Sequence, residues 1–346
     1  MPLDHYVSQV HLKRFYSPAL GNLMHATRKA DLKYFTPDST SVCNVMDGST
    51  NAYLLKDRVI EEFLKTIEPN YNPVLEQLSA GRVDSNCIYT IAGFVAYVVT
   101  CSPAGMRIQS MPLKRMLEHQ AVVMDAQGAF LPSPAELGGA SLTDLLRDGR
   151  VEFTIDPKYP QSIGITSILD LIDIFGNCEW EILQNDFTDS PFFTSDYPIA
   201  IEKTRDPRVL NKIVPLAPNL AVRIKPDISR DRTQKDFTFS KFSYVKRNLG
   251  HEDVVKINTL LVRCAEETVF YRDNHPWVQA FIRKNQHYRI GTCSKNLRTA
   301  TGTVLFSTQR VVPTVPSVES TSAIVDSNDT YAPSKPAWFS LGMGAD

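Results

Sequence analysis

Four polar side chains have the types and surroundings that could do chemistry: His5, Gln9, Glu68 and Asp196. A histidine just ahead of a short helical pattern can ligate a metal, act as a general base or contact a phosphate. The same imidazole can be structural, its two nitrogens bonded to backbone carbonyls or to Gln9, fixing the entry to the fold. His11 lies six residues on and points elsewhere on any helix, so the two histidines make no local metal clip. The segment after Asp57 carries Glu61, Glu62 and Glu68. At roughly 100° per residue, Glu61 and Glu68 fall within about 20° of each other on one flank. Such a pair could hold Mg²⁺ or Mn²⁺, which prefer oxygen ligands, or form a solvated face beside Arg58 and Lys65. Asp196 sits in Thr194-Ser195-Asp196-Tyr197-Pro198, a turn between two apolar strand-like segments. Backbone bonds from Asp and Ser explain such a turn, yet a rigid strand end is also a good seat for a metal ligand. The enzyme expectation therefore makes His5, Gln9 and Asp196 catalytic, with His5, Glu68 and Asp196 as ligands to Mg²⁺ or Mn²⁺.

A second feature is charge. Between Ile201 and Gly250 stand twelve Lys or Arg against five acids, in a chain of net charge −1. Phe237, Phe239, Phe242 and Tyr244 interleave with the basic residues. That pattern suits nucleic acid as a partner, with Lys241, Lys246 and Arg247 as contacts. A half-buried strand shows the same alternation, and the chain as a whole has no polyanion-binding balance.

The elements that must position these groups follow from periodicity. At 346 residues, 43% apolar and 22% charged, the chain has material for a sizeable core. Six widely spaced cysteines, with no Cys-x-x-Cys pair, argue against a zinc ribbon or a disulfide scaffold. Val59, Ile60, Phe63, Leu64 and Ile67 form one face of a helix that Pro69 should stop, and Pro73 should open a second. Ile88–Val99 reads as a buried helix, and Pro112 as the start of another. Cys87–Met106 has no charge over the length of a bilayer span, but its Thr, Gly, Ser and Pro content favours a core helix, with no membrane role and a cytoplasmic chain. Ile165–Phe175 reads as a buried helix. Trp180–Ile182, Phe192–Phe193, Ile199–Ile201 and Leu220–Ile224 read as strands, Glu252–Val269 and Pro276–Asn285 as helices, and Thr301–Val312 as a final strand pair. Leu23–Phe35 reads as one or two strands and Thr36–Thr50 as loop. The expected fold is α+β: a mainly helical N-terminal half packed on a small, mostly antiparallel sheet from the C-terminal half. Residues 1–312 are expected as one large domain and 313–346 as a flexible Pro-, Ser- and Thr-rich tail whose sticky point is Trp338-Phe339.

His5-Tyr6-Val7-Ser8-Gln9-Val10-His11-Leu12-Lys13-Arg14-Phe15 resembles the His-Tyr-Val-Pro-Gln-x-x-Leu-x-x-Phe opening of a mainly bacterial domain-of-unknown-function family, number 4238. Five further segments are similar in the family's order: Ile60–Glu68, Trp180–Leu183, Phe193–Pro198, Val214–Pro218 and Asn258–Phe270. The resemblance implies a shared fold and a site built around the opening histidine, and it brings no established reaction. Two departures stand out. Ser8 replaces the usual proline, and Cys101-Ser102-Pro103 stands where the family tends to have Arg-Thr-Pro, leaving Arg107 as the nearby cation.

The sequence has no P-loop, dinucleotide fingerprint, His-Glu-x-x-His or Gly-x-Ser-x-Gly pattern. Two functions stay open. One is a metal-assisted phosphodiesterase, such as a nuclease of a defence or toxin system. The other is a non-catalytic ligand-binding or protein-interaction protein in which the same residues anchor the fold.

Overall fold

The computed structural model describes residues 2–230, 232–299 and 302–314. The tail expected over 313–346, Trp338 and Phe339 included, therefore lies outside the described residues from 315 onward.

The chain opens with strand β1 (Leu3–His5), helix α1 (Gln9–Leu12), a 3-10 turn over Lys13–Phe15, and strands β2 (His25–Arg28), β3 (Tyr34–Phe35) and β4 (Asn44–Met46). β4 lies in the stretch expected as loop; it forms because its backbone pairs antiparallel with β1, placing His5 opposite Asn44. Six helices follow. α2 runs unbroken over Val59–Ser79 with Pro69 and Pro73 inside it, which corrects the expected break. Both prolines, and Lys65 one turn before, are exposed, so water can take the carbonyls that the missing N–H groups leave. The opposite face, Ile60, Ile67, Tyr71, Val74 and Leu78, is buried without interruption, and that packing outweighs the lost bonds.

α3 (Ser85–Cys101) is buried nearly all round and packs against α2 and, further on, α6 and α7. α4 (Pro103–Ala126) begins at Pro103, and Pro112 lies inside it, a second correction. The boundary is a cap: Ser102 Oγ accepts the Gly105 N–H at 3.0 Å, and Pro103 occupies the first turn, where no donor is needed. A Cβ on Gly105 would lie 2.1 Å from the Val99 carbonyl oxygen, so this sharp corner requires glycine. The two helices meet at 64°, and among the described residues no single helix is long and apolar enough to cross a membrane. α5 (Leu142–Arg147), α6 (Lys158–Thr166) and α7 (Ile168–Gly176) complete the helical part. The apolar stretch Ile165–Phe175 is thus split at Ser167.

The second half supplies β5 (Glu179–Gln184), β6 (Thr194–Ser195), β7 (Ala200–Lys203), β8 (Leu210–Ala217), β9 (Leu220–Lys225) and β10 (Ser243–Asn248). α8 (His251–Cys264) stops short of the expected Val269, and β11 (Thr268–Tyr271) takes the last residues. α9 (Val278–Asn285) is followed by β12 (Tyr288–Thr299) and β13 (Gly302–Pro313), a ribbon twice the length expected from Thr301–Val312.

The fold is α+β, with most helices in the N-terminal half and sheets mainly antiparallel. One sheet has the order β10-β5-β9-β8-β7, with only β10 and β5 parallel. The other, β3-β2-β11-β6, joins strands from the first 35 residues to strands near 195 and 270. The sheets are therefore not built from the C-terminal half alone. One apolar cluster runs from Ile60 on α2 through α3, α7 and the five-stranded sheet to Ile290 on β12. The four-stranded sheet has its own cores, which include Leu12, Met24 and Phe270 on one side and Phe193, Tyr271 and Ile282 on the other.

Candidate functional site

His5 ends β1, and its main chain is fixed twice. It pairs with Asn44, and its carbonyl accepts the hydroxyl of Tyr97 from the buried α3 at 2.5 Å. Its ring is held loosely on both sides: Nε2 lies 3.3 Å from the Thr40 carbonyl, and Nδ1 3.5 Å from Gln9 Nε2. The Thr40 carbonyl can only accept, so His5 Nε2 is the donor in that bond. Gln9 sits on the first turn of α1, four residues from His5, and its oxygen accepts from Ser39 Oγ at 3.4 Å. His5 and Gln9 are thus brought together.

Glu68 joins the same neighbourhood through the residue that departs from the family pattern. Ser8 is buried, and its hydroxyl donates to Glu68 Oε1 at 2.5 Å, tying the start of α1 to the middle of α2. The family's proline could make no such bond. Glu68 also bears on Tyr97: burial, then the charges of Cys101, Glu68, Asp4 and Glu61, push the phenol well above its ordinary range. Glu61 turns away to Arg58, whose guanidinium also binds Asp4 at 2.8 Å.

Asp196 forms no hydrogen bond with His5, Gln9 or Glu68. It follows β6 and is 7% exposed. Its Oδ1 accepts the Glu266 N–H at 3.0 Å, and its Oδ2 those of Glu267 at 2.7 Å and Thr268 at 3.1 Å. These donors lie between α8 and β11, so the carboxylate caps the turn that lets the chain leave the helix and enter the sheet. Burial pushes Asp196 up to about 7, against the pull of the three N–H bonds and of Lys29. Lys29 is itself buried and lowered to about 8, its ammonium donating to the carbonyls of Ala265 at 2.5 Å and Tyr288 at 2.7 Å. Tyr6 of the opening motif is pushed up mainly by burial, then by the charges of Cys43 and Asp196.

Among the described residues no group of three His, Cys, Asp or Glu is placed to hold a metal ion. The expected ligand set His5, Glu68 and Asp196 is therefore not assembled. Arg107 is engaged as well: it grips Glu266 through two bonds of 2.7 Å and donates to the Ile290 carbonyl, so it is no free anion-binding cation.

Among the described residues, six of the twelve basic residues in the run form ion pairs with acids. Arg223 pairs with Glu181 and Glu202, Lys225 with Glu179 and Glu181, Arg230 with Asp173 and Lys235 with Asp170. Of the expected nucleic-acid contacts, Arg247 pairs with Glu181 at 3.3 Å, and Lys246 donates to the Ser79 carbonyl at the end of α2. Lys241 precedes β10, which is exposed along its whole length and forms an edge of the five-stranded sheet. Charge on an edge strand discourages unwanted pairing, a sufficient reason for that run.

Two features escaped the sequence reading. His11 is fully buried, stacked on Phe94 with ring centroids 4.9 Å apart. Its nitrogens meet Tyr71 Oη at 2.8 Å and Thr194 Oγ1 at 2.7 Å, so it stitches α1 to α2 and β6. Burial pushes it down to about 3, and it is neutral at ordinary pH. The second feature is a cleft of about 380 Å³ between the loop after β5, the start of α8 and the segment leading into α9. Trp277 and Phe281 line it, edge to face at 5.5 Å, with Ser190, His251 and Val255 around them. Its local signal in the sequence was His275-Pro276-Trp277 followed by Phe281 one helical turn on.

A family model described as "Protein of unknown function (DUF4238)" matches residues 4–275, and the chain belongs to that family. No curated protein and no solved structure matches it.

Proposed function

We propose that this member of the family is a non-catalytic binding protein, in which His5, Gln9, Glu68 and Asp196 hold the fold and react with nothing. One observation carries the reading: both carboxylate oxygens of Asp196 are occupied by the backbone N–H groups of three consecutive residues. Three of the carboxylate's roughly four acceptor positions are thereby filled, so binding a metal through both oxygens would mean giving up buried hydrogen bonds, each worth about 1–3 kcal/mol when left unmade. The bonds of His5 and Glu68 support the same reading, because each links segments far apart in the chain. The phosphodiesterase alternative has no three-ligand set to build on among the described residues.

The test is His5→Gln, whose amide can replace one ring bond but cannot exchange protons near neutral pH. Wild type and variant are compared for folding by thermal melting and for cleavage of labelled RNA and DNA with Mg²⁺ and Mn²⁺. The expected result is two folded proteins with the same background cleavage. Metal-dependent cleavage by the wild type that His5→Gln abolishes would sink the binding reading.

A further inference from the structure

The aromatic cleft combines two things that the signature region lacks: an ordered apolar wall, and polar side chains that bond no other described residue. Trp277 is pinned before any ligand arrives. Its Nε1 donates to the Asp189 carbonyl at 3.0 Å, and Phe193 and Phe281 pack against it with ring centroids 5.6 and 5.5 Å away. His275 lies parallel to the indole, within 6°, and its Nε2 sits 3.2 Å from the Thr188 carbonyl. A wall of rings fixed in this way takes a flat partner with little loss of side-chain freedom. A volume of about 380 Å³ is at the small end for ligand pockets, which limits the guest to one or two rings.

The polar complement then selects the chemistry. Ser190 is 5% exposed and lines the cleft, and its hydroxyl bonds no described residue. The Asp189 carboxylate and the ring nitrogens of His251 are likewise without a partner among the described residues. Neither Lys nor Arg lines the cleft. Carboxylate and hydroxyl accept hydrogen bonds, and an anionic guest would face Asp189 uncompensated. We infer that the cleft binds a small planar heteroaromatic amine, its ring against Trp277 and Phe281 and its N–H groups toward Asp189 and Ser190. This assignment rests on the binding reading above and gives it a ligand class.

Two probes of similar ring size separate the outcomes: 2-aminobenzimidazole, which carries N–H donors, and 2-naphthoate, which carries a carboxylate instead. The full chain has three tryptophans, so ¹⁵N labelling gives three indole N–H signals; Trp277→Phe identifies the one that matters. The amine should shift that signal saturably and leave the Trp180 signal in place. Its affinity should exceed that of 2-naphthoate by about tenfold or more, the scale of one good polar contact. Asp189→Asn should erase most of that preference, and Val255→Phe, at an exposed position on the wall, should block both probes. No saturable shift, equal binding of the two probes, or a preference that survives Asp189→Asn overturns the assignment. A probe consumed to new resonances would instead overturn the non-catalytic reading and leave the cleft assigned.

Discussion

The signature region and the aromatic cleft differ in what their polar atoms do. Around β1, α1 and Asp196, His5, Ser8, Gln9, Glu68 and Asp196 each bond another part of the chain, and several of those partners are more than thirty residues away. In the cleft the indole is anchored, but the side chains of Ser190, Asp189 and His251 bond no other described residue, and Asp189 and His251 face solvent. A motif whose hydrogen bonds close on themselves holds structure. A pocket whose polar side chains bond only water can exchange that water for a ligand. The amino-acid types are similar in the two places, so residue type alone does not separate architecture from binding.

The largest expected effect that sharpens this contrast is on acid stability. His11 is neutral in the folded chain, lowered to about 3, whereas in the unfolded chain it titrates near 6.5. Below pH 6.5 the unfolded chain takes up a proton that the folded chain refuses, so stability present above that pH is lost as pH falls toward 3. The slope is at most about 1.4 kcal/mol per pH unit, or about 2 kcal/mol between pH 6.5 and 5. Urea titrations at both pH values should show wild type losing up to about 2 kcal/mol more than His11→Gln, since Asp196, pushed up to about 7, shifts stability the opposite way in both proteins. A wild-type loss matched by the variant would place the acid sensitivity elsewhere.

A smaller effect is expected at Ser8, whose hydroxyl reaches Glu68 from a buried position. Ser8→Ala should cost about 1.5 kcal/mol, the low end for a hydrogen bond to a charged acceptor. Glu68→Gln should lose less, because an amide oxygen can still accept. Equal stability of Ser8→Ala and wild type would show that the link between α1 and α2 is idle.

Much of the layout was legible from periodicity. The face of α2, the buried α3, and the strands at Trp180 and Leu220 all follow from apolar spacing, because one buried face per element leaves that trace. What failed was punctuation. Pro69 and Pro73 look like stops, and only the buried stripe beneath them shows why the helix continues. Thr268–Tyr271 reads as the end of a helix until β2 and β6 flank it. Asp196 was readable as a turn former, but its donors lie seventy residues on, in a backbone that sequence spacing cannot place. His11 was dismissed for pointing away from His5; it does, and the direction it takes is into the core. The cleft was least legible, since Ser190, His251 and Trp277 come from three separate segments with no shared pattern.

The most direct test sets one isosteric change in each region side by side. Asp196→Asn leaves an amide group facing three backbone donors; Asp189→Asn changes an exposed carboxylate whose backbone carbonyl, not its side chain, holds Trp277. Urea unfolding and 2-aminobenzimidazole titration are run on both variants and wild type. The account predicts that Asp196→Asn loses about 2 kcal/mol or more of stability while the folded fraction binds as before. It predicts that Asp189→Asn stays within about 0.5 kcal/mol of wild type and loses most of its affinity for the amine. A stable Asp196→Asn that no longer binds, beside an Asp189→Asn that binds normally, would contradict it.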